Sequence, residues 1–265
     1  MENAMKNSNL NLCVTIVFLL GACVLTGCGG TKVLKEAEPL VVTQSLATAS
    51  DQRLAATLDW VIVRDGPGTW AKNVDWDEYL IRVQNLSDGS IRVTNIAVFD
   101  SLGSRIDTRE NRSQLVKGTK KTKRRYKGEG LTVNAGAGAG TMMVGGVAAI
   151  AGGAGVIALA GGPLAVGGGA AVAATGLVLA APVLAVGGIL RGVNNSRVNK
   201  EIESRQTLLP VALQEEEEKS LDVFIPLAPS PGKVEITYAD SQRDYTLIID
   251  THAVLEGLHL AQTGK

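Results

Sequence analysis

From Leu131 through Leu190 the chain carries no charged residue, and residues 135–190 are almost entirely Gly, Ala, Val, Leu, Ile and Met. Most of the excess in the glycine count of 31 lies in this block. Its length exceeds what one membrane crossing needs, about 20 residues, and roughly fits two. Gly161-Gly162-Pro163 stands near the middle, where a tight reversal would be needed. The expectation is a Gly/Ala-rich hydrophobic helical hairpin over 135–192, with helices at about 141–160 and 164–190. An even number of crossings returns the chain to the side it left, so the sequence on both sides of the block can build one domain.

Glycine costs a helix about 1 kcal/mol per residue relative to alanine, so helices this rich in it must recover that through close contact. Small residues recur four apart at Gly145, Ala149 and Gly153, at Ala165, Gly169 and Ala173, and at Gly188 and Gly192. This spacing resembles a glycine zipper, in which flat helix faces bring backbones together inside lipid. The resemblance implies membrane insertion or self-association into a homo-oligomer. A buried hairpin in a soluble domain and a disordered linker are the other readings. Against the linker, Val144, Val147, Ile150, Val156, Ile157 and Leu159 would be an aggregation liability in water.

Basic residues crowd both flanks. Lys117, Lys120, Lys121, Lys123, Arg124, Arg125 and Lys127 precede the block, and Arg191, Arg197 and Lys200 follow it. A juxtamembrane cluster attracts anionic headgroups, which makes Lys120, Lys121, Lys123, Arg124, Arg125 and Lys127 candidate headgroup contacts. A solvated loop is the plain alternative.

The remainder reads as strands. Leu58, Trp60 and Ile62 alternate with Asp59, Val61 and Val63 up to the turn cluster Asp65-Gly66-Pro67-Gly68. Residues 79–83 and 91–99 follow, separated by a stretch containing Asp88-Gly89, which predicts a hairpin. After residue 205 come Leu221-Asp222-Val223-Phe224-Ile225, then residues 234–238 and 245–249 around Asp240-Ser241-Gln242. Residues 254–260 fit a short helix or an extra strand. Neither half can cover two sheets alone. The predicted fold is therefore mainly β: one Ig-like antiparallel sandwich interrupted by the inserted helical hairpin. Its first half spans 38–116 and its second 206–265, with a basic linker at 117–134 and another linker at 193–205. Trp60, Trp70, Trp76 and Tyr79 are expected in the core, with an interfacial membrane role as the lesser option.

The amino terminus has the order of a secretory signal: a polar stretch with Lys6, an apolar run from Leu10 to Leu20, then small residues. Leu25-Thr26-Gly27-Cys28 is similar to the lipobox of bacterial lipoproteins. That resemblance implies removal of signal peptide 1–27, a lipid on Cys28 that includes a fatty acyl (palmitate-type) group, and a tether over 28–37. Gly29 and Gly30 follow in place of the aspartate that often marks inner-membrane retention, so the resemblance favours the outer membrane, facing the periplasm. Cys13 and Cys23 would leave with the signal, and the mature chain would hold no disulfide.

Little else carries chemistry. Gly136-Ala137-Gly138-Ala139-Gly140 lacks the Gly-Lys-Ser/Thr of a phosphate loop and the acidic residue of a dinucleotide fold. The two histidines, His252 and His259, read as polar groups at the surface or at strand ends, and the run Glu215 to Glu218 as a solvated loop. No catalytic residue, cofactor or metal is expected. The zero net charge gives no argument for nucleic acid as a partner. With its signal and block, the chain resembles glycine-zipper outer-membrane lipoproteins. The resemblance implies a non-enzymatic envelope protein whose partner is membrane lipid. An adaptor for a partner protein of an envelope or secretion machine and a pore-forming or toxin-like protein are the alternatives.

Overall fold

Alternating β-branched and polar residues give the chain its long strands. The computed structural model describes residues 31–37, 39–139, 177–178 and 191–261. They are mainly β, in antiparallel sheets, with few helices. One sheet orders β11 (Glu218–Pro226), β6 (Trp76–Asn85), β4 (Leu54–Ile62) and β3 (Ala47–Ser50). The other orders β10 (Val211–Leu213), β7 (Ile91–Phe99), β12 (Lys233–Ala239) and β13 (Asp244–Asp250), with β8 (Arg105–Asp107) also paired to β7. Each sheet joins strands from both sides of the apolar block: β6 pairs β11 along its whole length, and β7 pairs β12.

Period-two burial sets which face meets the core. Tyr79, Ile81 and Val83 of the first sheet share one apolar cluster with Val93, Ile96, Val234, Ile236, Leu247 and Ile249 of the second. A register shift between Leu58 and Trp60 brings Trp60 opposite Leu80, and both are buried. Two short pairings stand apart from these sheets: β1 (Lys32–Val33) with β5 (Ala71–Lys72), and β2 (Val41–Val42) with β9 (Leu177–Val178).

Helices cover the outer face of the four-stranded sheet. Asn111 caps α1 (Arg112–Gly128) by accepting from the Gln114 N–H at 3.0 Å. Helix α2 (Arg191–Arg205) follows the apolar block, and α3 (His252–Leu255) lies near the C-terminus. Leu115 of α1 and Val198 and Ile202 of α2 share a second apolar cluster with Trp70, Trp76 and Phe224. Burying Val198 and Ile202 contributes about 3–5 kcal/mol together, more than the surface ion pairs of a helix this polar can. At the other contact Gly118 lies so close to the sheet that an added Cβ would stand 2.5 Å from Pro226 Cγ.

Several elements differ from their sequence reading. Residues 79–83 and 91–99 do not form a hairpin: both edges of β6 are taken, by β4 and β11, and β7 belongs to the other sheet. Asn85 turns the connection, its Nδ2 donating to the carbonyls of Gly89, Leu213 and Gln214. The basic stretch read as a linker is helical through residue 128, and residues 193–205 are helical rather than a linker. The stretch read as a tether already pairs at Lys32. Trp60 and Tyr79 lie in the main core, whereas Trp70 and Trp76 lie under the helices. The hairpin expected over 135–192 lies outside the described residues for most of its length.

Candidate functional site

The ends of β4, β7, β11 and β13 and the starts of β6 and β12 coincide, because Ile62 pairs Glu78, Pro226 pairs Trp76, Phe99 pairs Lys233, and Lys233 pairs Asp250. This end of the domain gathers the segments the sequence singled out.

Residue 31, three positions after Cys28, is fixed there. Thr31 is buried, its Oγ1 donates to the Asn73 carbonyl and accepts from Arg112 Nη2, each at 3.3 Å, and the Leu34 N–H donates to the Trp70 carbonyl.

The chain entering the apolar block is fixed there too. Val133 bridges Leu260, the Asn134 N–H donates to the His259 carbonyl, and the His259 N–H returns a bond to the Ala137 carbonyl. Gly136 and Gly138 both have positive φ, 80° and 73°. An added Cβ would meet the carbonyl oxygen of Arg64 at Gly136 and that of Gly257 at Gly138. The Gly-Ala run is thus a fitted turn around His259. That imidazole is fully buried, with Nε2 at 2.7 Å from Asp77 Oδ2 and Nδ1 accepting from the Gly136 N–H at 3.1 Å. Because Nδ1 accepts, the ring hydrogen sits on Nε2 and points at Asp77. Burial and the Asp77 charge push the neighbouring Tyr79 hydroxyl well above its ordinary pKa. His259 is therefore not a surface group; His252 is exposed.

Helix α1 runs along the same end. Its buried positions, Leu115, Thr119, Thr122 and Tyr126, follow helical spacing. Thr119 Oγ1 donates to the Asp75 carbonyl and accepts from the Leu227 N–H, and the Tyr126 hydroxyl bonds Ser101 Oγ at 2.8 Å. Among the expected headgroup contacts, Lys123 pairs with Asp75 at 3.1 Å and Arg125 with the buried Asp100. These two hold the helix to the domain. Lys120, Lys121, Arg124 and Lys127 are exposed, as is Lys117.

The chain returning from the block is held by a buried carboxylate. Trp70 Nε1 donates to Glu78 Oε2 at 2.7 Å, and Arg205, the last residue of α2, lies 3.8 Å from Glu78 Oε1 and over the Trp70 ring. Burial pushes the Glu78 carboxyl up to about 7; Arg205 and the indole bond oppose this, while the charges of Asp222 and Glu201 add to it.

Of the remaining sites read from sequence, Gly192 falls in the first turn of α2. Cys28, Gly145, Ala149, Gly153, Ala165, Gly169, Ala173 and Gly188 lie outside the described residues. Among the described residues no helix is long and apolar enough to cross a membrane, and no group of His, Cys, Asp or Glu is arranged to hold a metal ion. The sequence reading missed the Asp77–His259 pair and the Glu78–Trp70–Arg205 cluster. Glu78 interrupts the apolar outer face of a strand, Trp76-x-Glu78-x-Leu80, and that was its one visible signal. No protein-family model, curated protein sequence or solved structure matches the chain.

Proposed function

We propose that this chain is a lipid-anchored envelope protein whose β-domain sits close to a membrane and carries an apolar hairpin that inserts in, or oligomerises at, that membrane. One observation carries the reading: residue 31, just after the expected acyl cysteine, and residues 131–139, which lead into the block and begin it, are both tied to the same end of the domain. Three peptide units from Cys28 to Thr31 reach at most about 11 Å, so a lipid on Cys28 brings this end near the bilayer. The block then starts at the surface it would enter. The two sheets with a shared core are read as an Ig-like sandwich interrupted by that block, and the role as structural and non-enzymatic, at the outer membrane facing the periplasm.

An adaptor role is the second reading, favoured by the far end of the domain. There the loops around Arg53, Leu86 and Asp240 border an open cleft of about 660 Å³. Under the proposed orientation this cleft faces away from the membrane.

Fractionation of four proteins separates the parts: wild type and Cys28→Ser, each with and without residues 141–190. The proposal expects detergent to be needed to extract the wild type, and progressively easier release as each attachment is removed. If deleting the block leaves extraction and oligomer size unchanged in the Cys28→Ser chain, insertion is wrong and the adaptor reading gains.

A further inference from the structure

We propose that the outward face of α1 is a docking surface for a bilayer rich in anionic phospholipid. The inference rests on the membrane-proximal placement of this end and deepens it by naming the lipid chemistry. At 100° per residue, Lys117, Lys120, Lys121, Arg124 and Lys127 fall within an arc of about 120°, opposite the buried Leu115–Tyr126 face. They span about 15 Å of helix. All five are exposed, and none forms an ion pair among the described residues, whereas their neighbours Lys123 and Arg125 are spent on Asp75 and Asp100. No exposed acidic residue interrupts the face before Glu129. Charges that only kept the helix soluble would need no such segregation from the paired ones.

Two leucines near the C-terminal end of α1 are also exposed. Leu102 is 40% exposed and Leu131 38% exposed. Both adjoin Tyr126, whose hydroxyl bonds Ser101 and whose carbonyl accepts from the Leu131 N–H. A stripe of exposed, unpaired basic residues with no acidic residue among them fits an anionic lipid surface. A nucleic acid fits less well, because the aromatic ring of the helix, Tyr126, is fully buried and offers no stacking platform. The N-terminal end of α1 touches Thr31 through Arg112, so an acylated Cys28 would hold this face within reach of headgroups.

The test compares the full-length wild type with a variant carrying Gln at all five positions, partitioned between phosphatidylglycerol-rich and pure phosphatidylcholine vesicles. Each charge near an anionic surface is worth about a fivefold preference, lost at high salt. The wild type should therefore prefer the anionic vesicles strongly, and the variant should lose nearly all of that preference with its melting temperature unchanged. Lys121→Glu alone, at an exposed and unpaired position, should lower the preference several-fold and keeps the test valid should the fivefold variant misfold. Retention of the preference by either folded variant, or its persistence in high salt, overturns the proposal. So does tight binding of a single-stranded oligonucleotide in place of the vesicles. The anchor is read separately on phosphatidylcholine, where Cys28→Ser should bind more weakly and the stripe variant should not. A failure there counts against the anchor and leaves the headgroup result standing.

Discussion

His259 Nε2 donates to Asp77 Oδ2 across 2.7 Å, and neither side chain is exposed. The pair ties the C-terminal segment to the first residues of β6, and through Nδ1 it holds the Gly136 N–H as well. Truncating His259 to Ala leaves a buried carboxylate without its partner, which costs about 3–5 kcal/mol. Asp77→Asn keeps an acceptor for Nε2 and should cost less, about 1–2 kcal/mol. Denaturant unfolding measures both. Hydrogen exchange should show the amide of Gly136 losing protection in the His259 variant first.

The two helical glycines at positions 118 and 128 should respond to alanine with opposite signs. Alanine gains about 1 kcal/mol of helix propensity at either place. At Gly128 nothing lies within 4 Å of the added methyl, so Gly128→Ala should stabilise by up to about that amount. At Gly118 the methyl would stand 2.5 Å from Pro226, and the overpacking cost of about 1–3 kcal/mol exceeds the gain. Two thermal melts decide the matter; equal shifts would show that α1 does not seat on Pro226.

Gly136→Ala combines a positive φ with a Cβ 2.5 Å from the Arg64 carbonyl oxygen. The conformational and steric costs together should come to about 2–4 kcal/mol. Gly130 also has positive φ but open space around it, so Gly130→Ala isolates the backbone part, about 1 kcal/mol. The difference between the two variants reads how tightly the Gly-Ala turn is fitted.

Glu78 makes stability depend on pH in a direction opposite to that of most carboxylates. Burial holds its folded pKa at about 7, above the ordinary value of 4.5. Between those values the native protein keeps a proton that the unfolded chain releases. The contribution of this group to stability therefore falls as pH rises from about 4.5 to about 7 and is flat above, by about 3 kcal/mol in all. Glu78→Gln still offers an acceptor to Trp70 Nε1 and has no charge to desolvate. It should match the wild type near pH 4 and be the more stable protein at pH 8, flattening the profile between. A variant that keeps the wild-type slope would place the pH dependence elsewhere.

Strands were legible where alternation is regular. Residues 234–238 and 245–249 pair as their turn Asp240-Ser241-Gln242 suggested, with Tyr238 opposite Tyr245. The segment 79–99 misled because Asp-Gly turn chemistry is local, whereas the choice of partner strand depends on β11, more than a hundred residues away. Helix α1 was hidden for another reason: two of the four positions on its buried face are threonines, Thr119, which bonds backbone groups, and Thr122, and neither adds to an apolar stripe. The Asp77–His259 pair was illegible because its partners lie 182 residues apart and belong to no short motif.

Residues 131–139 are moored to the C-terminal segment and α2 to the sheet beneath it, so the chain between them leaves and rejoins the β-domain at fixed points, with one further pairing where Leu177–Val178 meets Val41–Val42. Closure entropy grows only with the logarithm of loop length, about 0.6 kcal/mol per doubling. Folding of the domain is thereby insulated from the length of what it holds. Shortening the block on either side of Leu177–Val178, with that pairing kept, should leave the melting of the β-domain almost unmoved. The fold thus behaves as a socket that tolerates a cassette of variable length.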